Sequence, residues 1–377
     1  MTRKQFLVLI LLLLVLGGIG LAMFWQDITA YRTAAAKIGG KLLPDLKIAE
    51  LAQVELRDAK NHVTLSRKED HWIVQERDGY PADFKAISDL VIKLSDVKIV
   101  QADTVGESLL PRVELVEPGK GEGAGTLVDL KDAGGKTLAA VILGKVVLKK
   151  DPGNPLPSAQ NGVPAARYVR VLGGKDQVVV VADPLSAAEA QPGHWLDKDF
   201  AKIERIKTLT VENESGWKIT RDEEWGQWKF AGGGGDLDPS AAVAAVNGLG
   251  QLDFKDVVAG AKPEEEGKPV TVRADTFDNL TYTLRIAKRK GSADYLLNVK
   301  VAGEPPRERP PEKGEKPDDK ARRDKEFEES RKRMELRVAR DKARSAWVYV
   351  VEAKELAPLL KPRSEMLRKP APSDRKQ

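Results

Sequence analysis

The sequence predicts an α+β protein in which an N-terminal transmembrane helix is followed by two tandem antiparallel-sheet-plus-helix units. Three observations lead to this prediction: an uncharged apolar run near the N-terminus, strand-like alternation of apolar and polar residues, and a repeated order of elements. The chain has 377 residues, which is long enough for two or three domains of ordinary size.

The apolar run is Phe6–Trp25, 20 residues without a charge. At about 1.5 Å per residue, a helix of this length spans the hydrocarbon core of a bilayer. Arg3 and Lys4 precede the run, and the positive-inside tendency places them in the cytoplasm. We expect a single-pass signal anchor in the inner membrane, with the bulk of the chain in the periplasm or its extracytoplasmic equivalent. The alternative, a cleaved signal peptide, has a shorter apolar core of about 7–15 residues.

Apolar and polar side chains alternate with the period of a β-strand over residues 54–74 and again over 209–230. An aspartate that can cap a helix follows each stretch, Asp83 in the first and Asp238 in the second. The two caps lie 155 positions apart (238 − 83), and further strand-like stretches follow both in the same order. This agreement indicates an internal duplication.

The spacing of apolar residues predicts which face each helix buries. After Asp83 the predicted buried residues are Ile87, Leu90, Val91 and Leu94. After Asp238 they are Val243, Val246 and Leu249.

Composition excludes several kinds of site. The chain has no cysteine, which excludes disulfide scaffolds, thiolate catalysis and cysteine-ligated zinc. Its three histidines, His62, His71 and His194, do not have the spacing of metal ligands. We assign no catalytic, cofactor-binding or metal-ligating residues and predict a protein that is not an enzyme, with a carboxylate hydrolase as the alternative.

The excess positive charge is confined to the flanks and to one insert. The formal net charge is +5. Residues 304–344 carry 15 basic and 12 acidic side chains, residues 361–377 carry six and two, and Arg3 and Lys4 add two more. These pieces together carry +9, so the remainder of the chain carries about −4. Because the predicted units are not basic, we predict no nucleic-acid partner.

The predicted organisation follows from these patterns. In chain order it comprises a cytoplasmic N-terminus at 1–5, a transmembrane anchor at 6–25, a juxtamembrane linker at 26–49, a first unit at 50–203, a second unit at 204–360 with the charged insert at 304–344, and a basic disordered tail at 361–377. The insert begins with a proline-rich stretch and continues with helix formers. It is predicted either as a solvated charged helix or as a coiled-coil partner helix that uses Phe327, Met334 and Val338.

Five segments carry a resemblance to a known family. They are HWIVQERDGYPADF at 71–84, VILGK at 141–145, ARYVRV at 166–171, HWLDKDFAKIERI at 194–206 and AWVYVV at 346–351. They resemble the bacterial membrane-anchored family catalogued as domain of unknown function 4340. The resemblance implies an extracytoplasmic auxiliary protein without an assigned activity, and some members are encoded beside ABC-type exporters. A membrane-protein partner such as an ABC-type exporter is therefore expected.

Arg77, Tyr80 and Trp195 are the predicted partner or ligand contacts. Arg77 and Tyr80 lie in a loop between a strand and a capped helix, and their side chains are common in interfaces. The alternative for Tyr80 is packing within its own unit, and the alternative for Trp195 is core or interface packing. The predicted function is a non-enzymatic scaffold or accessory subunit of a membrane complex. An extracytoplasmic binding module for a glycan, lipid or peptide, with a groove between the units, is the alternative.

Overall fold

The computed structural model of the protein describes residues 38–103, 105–149, 162–173, 177–260, 262–309 and 315–368. Within these ranges no helix is both long enough and apolar enough to cross a bilayer. The predicted anchor and the predicted cytoplasmic N-terminus lie outside the described residues. Residues 26–37 of the predicted linker and 369–377 of the predicted tail lie outside them as well.

The chain divides into two units between Trp195 and Leu196, earlier than the predicted boundary after residue 203. Phe200 gives the physical reason for the difference. Its ring packs against the rings of Phe254 and Tyr349 in the second unit, with centroid distances of 5.4 and 3.9 Å. The residues that follow Trp195 are therefore part of the core of unit two.

Unit one contains an antiparallel sheet. Its strands are β1 (Leu51–Arg57), β2 (His62–Lys68), β3 (His71–Val74), β4 (Tyr80–Pro81), β5 (Ile99–Asp103), β6 (Thr126–Asp132), β7 (Thr137–Lys149), β8 (Val163–Leu172) and β9 (Gln177–Val181). Among the described residues their order across the sheet is β4-β3-β2-β1-β6-β7-β8-β9-β5. Every neighbouring pair is antiparallel.

Unit two contains a second antiparallel sheet with the same plan. Its strands are β10 (Ile206–Glu212), β11 (Trp217–Thr220), β12 (Lys229–Phe230), β13 (Asp256–Val257), β14 (Glu265–Thr276), β15 (Leu280–Arg289), β16 (Tyr295–Gly303) and β17 (Tyr349–Val351). Among the described residues their order is β12-β11-β10-β14-β15-β16-β17-β13. Strand for strand this repeats unit one, apart from the extra edge strand β4. The predicted pair of antiparallel sheets with few helices is confirmed.

Each unit has one main helix, which follows β4 in unit one and β12 in unit two. These helices are α1 (Phe84–Asp96) in unit one and α2 (Pro239–Gly250) in unit two, and unit two adds α3 (Pro317–Arg344) and α4 (Ala353–Leu356). The predicted caps are confirmed: the carboxylate of Asp83 accepts the N–H of Ala86 at 3.1 Å, and that of Asp238 accepts the N–H of Ser240 at 2.8 Å. Both bonds satisfy donors that the first helical turn leaves free.

The buried face of α1 is the predicted one, whereas the prediction for α2 is confirmed only at Leu249. Helix α1 buries Ile87, Leu90, Val91 and Leu94. Helix α2 buries Ala241, Ala242, Ala245 and Leu249. Val243, which was predicted to be buried, has 47% of its surface exposed. Because α2 is rich in alanine and valine on every side, apolarity alone did not fix its orientation.

A short 3₁₀ turn near the end of each unit binds the start of that unit's main helix. In unit one this turn is Pro192–Trp195, and the carbonyl of Trp195 accepts the N–H of Asp83 at 2.8 Å. In unit two it is Arg363–Met366, and the carbonyl of Met366 accepts the N–H of Asp238 at 2.9 Å. Trp195 and Met366 are both fully buried, so each turn closes a core.

These contacts correct two predicted flexible segments. The predicted disordered tail began at residue 361, yet Met366 is buried and the guanidinium of Arg363 donates to the carbonyls of Gly233 and Gly234 at 2.8 and 3.0 Å. The predicted linker ended at residue 49, yet Leu42 is buried and its N–H donates to the carbonyl of Val97 at 2.9 Å. Both segments are folded where backbone hydrogen bonds and apolar burial hold them.

Replacing Met366 by alanine tests the closing turn of unit two. Removal of a fully buried side chain of this size costs about 2–5 kcal/mol, so Met366→Ala is expected to lower the free energy of unfolding by that amount. Urea unfolding of the purified chain measures it. Glu365→Ala, an exposed neighbour, is the control and should change stability by less than about 0.5 kcal/mol. Equal effects of the two variants would contradict a buried closing turn.

Candidate functional site

Two of the three predicted contact residues are part of the core. Tyr80 and Trp195 have no exposed surface, and the indole Nε1 of Trp195 donates to the carbonyl of Glu189 at 2.7 Å. Neither side chain can meet a partner in this structure, so the alternative for both residues, packing in the core, is the one that the structure supports. Arg77 is half-buried and donates to the carbonyl of Glu76 at 2.8 Å; its role as a contact stays a prediction.

The charged insert is the largest difference between the two matching sheets. In unit one, residues 173–176 separate β8 from β9, whereas in unit two residues 304–348 separate the equivalent strands β16 and β17. The same sheet therefore forms with a short connection, and the sheet itself does not require the insert. Most of the insert is α3, a helix of 28 residues.

Three arginines on one face of α3 fasten this helix to residues 197–205. Arg337, Arg340 and Arg344, here called the arginine row, are spaced i, i+3 and i+7, which places them on one side of a helix. Each meets a carboxylate: the partners in the same order are Glu204 at 3.1 Å, Asp199 and Asp197.

Arg344 is the most deeply buried member of the arginine row. Its side chain is 5% exposed, and besides pairing with Asp197 it donates to the backbone carbonyl of Asp199. A buried guanidinium is stable only when its donors are bound, and removing its partners leaves a charge that water cannot reach. Arg344 therefore fixes the C-terminal end of α3 in one position.

The apolar stripe predicted on α3 faces the protein along with the row. Val338 is buried, and Phe327 and Met334 are half-buried. Close to Val338, the hydroxyl of Tyr282 donates to the carboxylate of Asp341 at 3.3 Å. Burial raises the pKa of the Asp341 carboxyl and also that of the Tyr282 hydroxyl. The stripe is thus occupied by the helix's own unit at its C-terminal end.

Arg205 joins two further loops to the same segment. Its guanidinium binds both carboxylate oxygens of Glu224 at 2.9 Å and also pairs with Asp278. Hydrogen bonding to Glu224 raises the pKa of Arg205, and burial raises the pKa of Asp278. The neighbour of Glu224, Trp225, has 92% of its surface exposed. This bidentate pair therefore holds the base of a loop that presents an indole to solvent.

The strand register places the two loops that Arg205 joins, residues 221–228 and 277–279, at one end of the unit-two sheet. The start of β10, the end of β11, the turn between β14 and β15, and the end of β16 all lie at this end. The chain enters the sheet here after Arg205 and leaves β16 for the insert here.

Charge is unevenly distributed along α3. Residues 317–330 carry four basic and six acidic side chains, whereas residues 331–344 carry seven and two. A concentration of cations in the last turns also suits the negative end of the helix dipole. The arginine row accounts for three of those cations, and Arg331 pairs with Glu335 at 3.1 Å. Helix α3 therefore combines an acidic first half with a basic second half.

Two surface cavities flank the C-terminal half of α3. One of about 350 Å³ is lined by Lys202, Arg333, Leu336 and parts of the arginine row. Another of about 470 Å³ lies near Ser345, and its Arg285 is held by both carboxylate oxygens of Glu265 at 2.7 Å. Over the described ranges, no group of three or more histidine or acidic side chains could hold a metal ion.

The family comparison covers more than half of the sequence. The family described as domain of unknown function 4340 matches residues 72–274. The chain belongs to this family. The match runs from β3 to β14, so it includes residues 197–205, while α3 lies beyond it. Searches among curated proteins and among solved structures found no match. Family membership confirms the resemblance seen in the sequence.

Sequence reasoning missed the arginine row in this member of the domain of unknown function 4340 family. The i, i+3, i+7 spacing of the three arginines was a usable signal, because surface cations of a solvated helix need no such alignment. Their partners were not identifiable from the sequence, since Arg340 and Asp199 lie 141 positions apart.

Arg344→Ala tests whether the arginine row fastens α3. Breaking a buried ion pair by removing one partner costs about 3–5 kcal/mol, so urea unfolding should show a loss of this size. Hydrogen exchange in residues 331–344 should accelerate at the same time. Lys342→Ala, at an exposed position on the same helix, is the control. It should change neither the free energy of unfolding nor the hydrogen exchange of residues 331–344. A wild-type exchange pattern in Arg344→Ala would show that the row is not what holds the helix.

Proposed function

We propose that this chain is a non-enzymatic accessory or scaffold subunit of a membrane complex in the cell envelope. The uncharged run Phe6–Trp25 supports a single-pass inner-membrane anchor, with Arg3 and Lys4 on the cytoplasmic side. Both units then lie in the periplasm or its extracytoplasmic equivalent. The partner we propose is a membrane protein such as an ABC-type exporter, which is what the family resemblance implies.

One observation carries the docking role: unit one completes the same sheet without an equivalent of α3. A segment that the sheet does not need, yet that is held by three paired arginines, is suited to present a surface rather than to support a core. Conformational entropy favours such an arrangement, because a helix already fixed in place loses little freedom on binding. We propose that α3 is the element by which the chain docks on its partner.

The alternative function, a binding module for a glycan, lipid or peptide, rested on Arg77, Tyr80 and Trp195. Because Tyr80 and Trp195 are buried, it keeps one of its three contact residues. No observation in the described part of the chain favours it over the accessory role.

Cysteine labelling tests the proposed topology. Because the chain has no cysteine, a single introduced thiol is its sole labelling site. Ser330→Cys lies at an exposed position of α3, and Thr2→Cys precedes the proposed anchor. In intact cells with a permeable outer membrane, a membrane-impermeant maleimide should label Ser330→Cys and not Thr2→Cys. Labelling of Thr2→Cys alone, or of both, would rule out the proposed orientation.

Affinity purification tests the accessory role. The tagged full chain is purified from solubilised membranes of its own host, beside a variant in which residues 304–346 are replaced by the unit-one connection 173–176. The same membrane protein should copurify with the wild type in every replicate and should be lost from the variant. Circular dichroism and thermal unfolding establish that the variant keeps its sheets. Recovery of the wild-type chain without a reproducible membrane partner would overturn the proposal.

A further inference from the structure

A basic surface with one apolar residue faces outward from the C-terminal half of α3. Lys332 and Arg333 are exposed, and no described carboxylate lies within 4.0 Å of their nitrogen atoms. One turn further on, Leu336 has 74% of its surface exposed. Lys202 lies across the cavity that Arg333 and Leu336 line. We call Lys202, Lys332, Arg333 and Leu336 the Leu336 surface.

The Leu336 surface is held in place by the contacts beneath it. Arg337 and Arg340 of the arginine row line the same cavity of about 350 Å³, and they are already paired with Glu204 and Asp199. Lys202 is 3.9 Å from Asp199, but Arg340 already binds that carboxylate. The row therefore neutralises the acidic side of the cavity and leaves the outer cations to face solvent.

We propose that the Leu336 surface binds an acidic segment of a partner protein, with carboxylates opposite Lys332, Arg333 and Lys202 and an apolar side chain against Leu336. This inference rests on the proposed role of α3 as a docking element. Complementary charge at an interface guides association and selects among partners. A leucine beside a preformed cavity supplies the apolar contact that charged pairs alone do not provide.

An anionic membrane is a poorer fit than an acidic protein segment. Helix α3 has 28 residues and is about 42 Å long at 1.5 Å per residue. If it lay along a bilayer, its first half, with six acidic against four basic side chains, would be repelled by anionic lipids. Helices that bind in the interface also carry a broad apolar face, whereas Leu336 is the sole exposed large apolar residue of α3 among the described residues.

Photo-crosslinking in the full chain tests this inference. Leu336 is replaced by p-benzoylphenylalanine, cells are irradiated, and the crosslinked peptide is identified by mass spectrometry. The expected product joins this position to a segment of a partner protein with net negative charge. Adding Lys332→Glu with Arg333→Glu should lower the crosslinking yield at least about tenfold, because these substitutions reverse two charges of the Leu336 surface. The matched control, Arg322→Glu with Lys325→Glu, makes the same charge change in the first half of α3 and should retain the yield.

Each other result overturns the inference. A crosslink to lipid, to a second copy of this chain or to a neutral or basic segment identifies a different occupant. An equal loss of crosslinking yield with both pairs of substitutions shows that binding depends on the total charge of α3 and not on the Leu336 surface. If copurification still depends on the insert while Leu336 gives no acidic crosslink, this inference fails and the accessory role stands. If the wild-type chain recovers no partner, the accessory role itself fails.

Discussion

Each unit is closed by a hydrogen bond between the capping aspartate of its main helix and a buried residue in its closing turn, which is the last buried residue among those that the structure describes in that unit. Asp83 and Asp238 cap with their carboxylates, and their backbone N–H groups bind the carbonyls of Trp195 and Met366. One residue thus sets where the helix begins and where the end of the unit is held. Because the helix follows the first strands of the unit and the closing turn follows the last strand, this bond also brings together parts of each unit that are distant in sequence.

Because the two units share one plan, the differences between them show which segments the sheet does not require. The sheets share strand order, so a segment found in one unit alone is not required by the architecture. Helix α3 is the largest such segment in unit two, and its arginine row anchors it to residues that lie before the first strand of the same unit. Its position is consequently set by ion pairs that are tied to the fold, while its outer surface is not needed for folding.

The basic residues of α3 have two separate roles. Arg337, Arg340 and Arg344 pair with carboxylates of residues 197–204. Burial makes the pairing necessary for Arg344, whereas the side chains of Arg337 and Arg340 are 26% and 32% exposed. Lys332 and Arg333 are exposed, so water screens them and they contribute little to stability. The formal net charge of +5 therefore does not by itself show what the basic residues do. Part of the excess charge is structural, and part is held on a fixed surface that can select a partner.

The sequence determined the local elements and the duplication. Alternation over residues 54–74 and 209–230 predicted the strands, and Asp83 and Asp238 predicted the helix starts, because a strand's period and a helix cap depend on neighbouring residues alone. The buried face of α1 followed from its spacing for the same reason. Family membership was also accessible from short segments of the chain.

Tertiary structure decided what the sequence left open. Trp195 and Met366 are core residues because each ends the closing turn of its unit, and Tyr80 is fully buried as well. No local pattern in the sequence indicates this burial. Helix α2 buries a face made mostly of alanine and leaves Val243 exposed, so the more apolar side chain is not the one that is buried. Arg340 pairs with Asp199, and only the fold brings these two residues together, because they lie 141 positions apart in the sequence. Charge in a sequence shows sign and spacing, but only the folded topology determines which charges lose contact with water and must find partners.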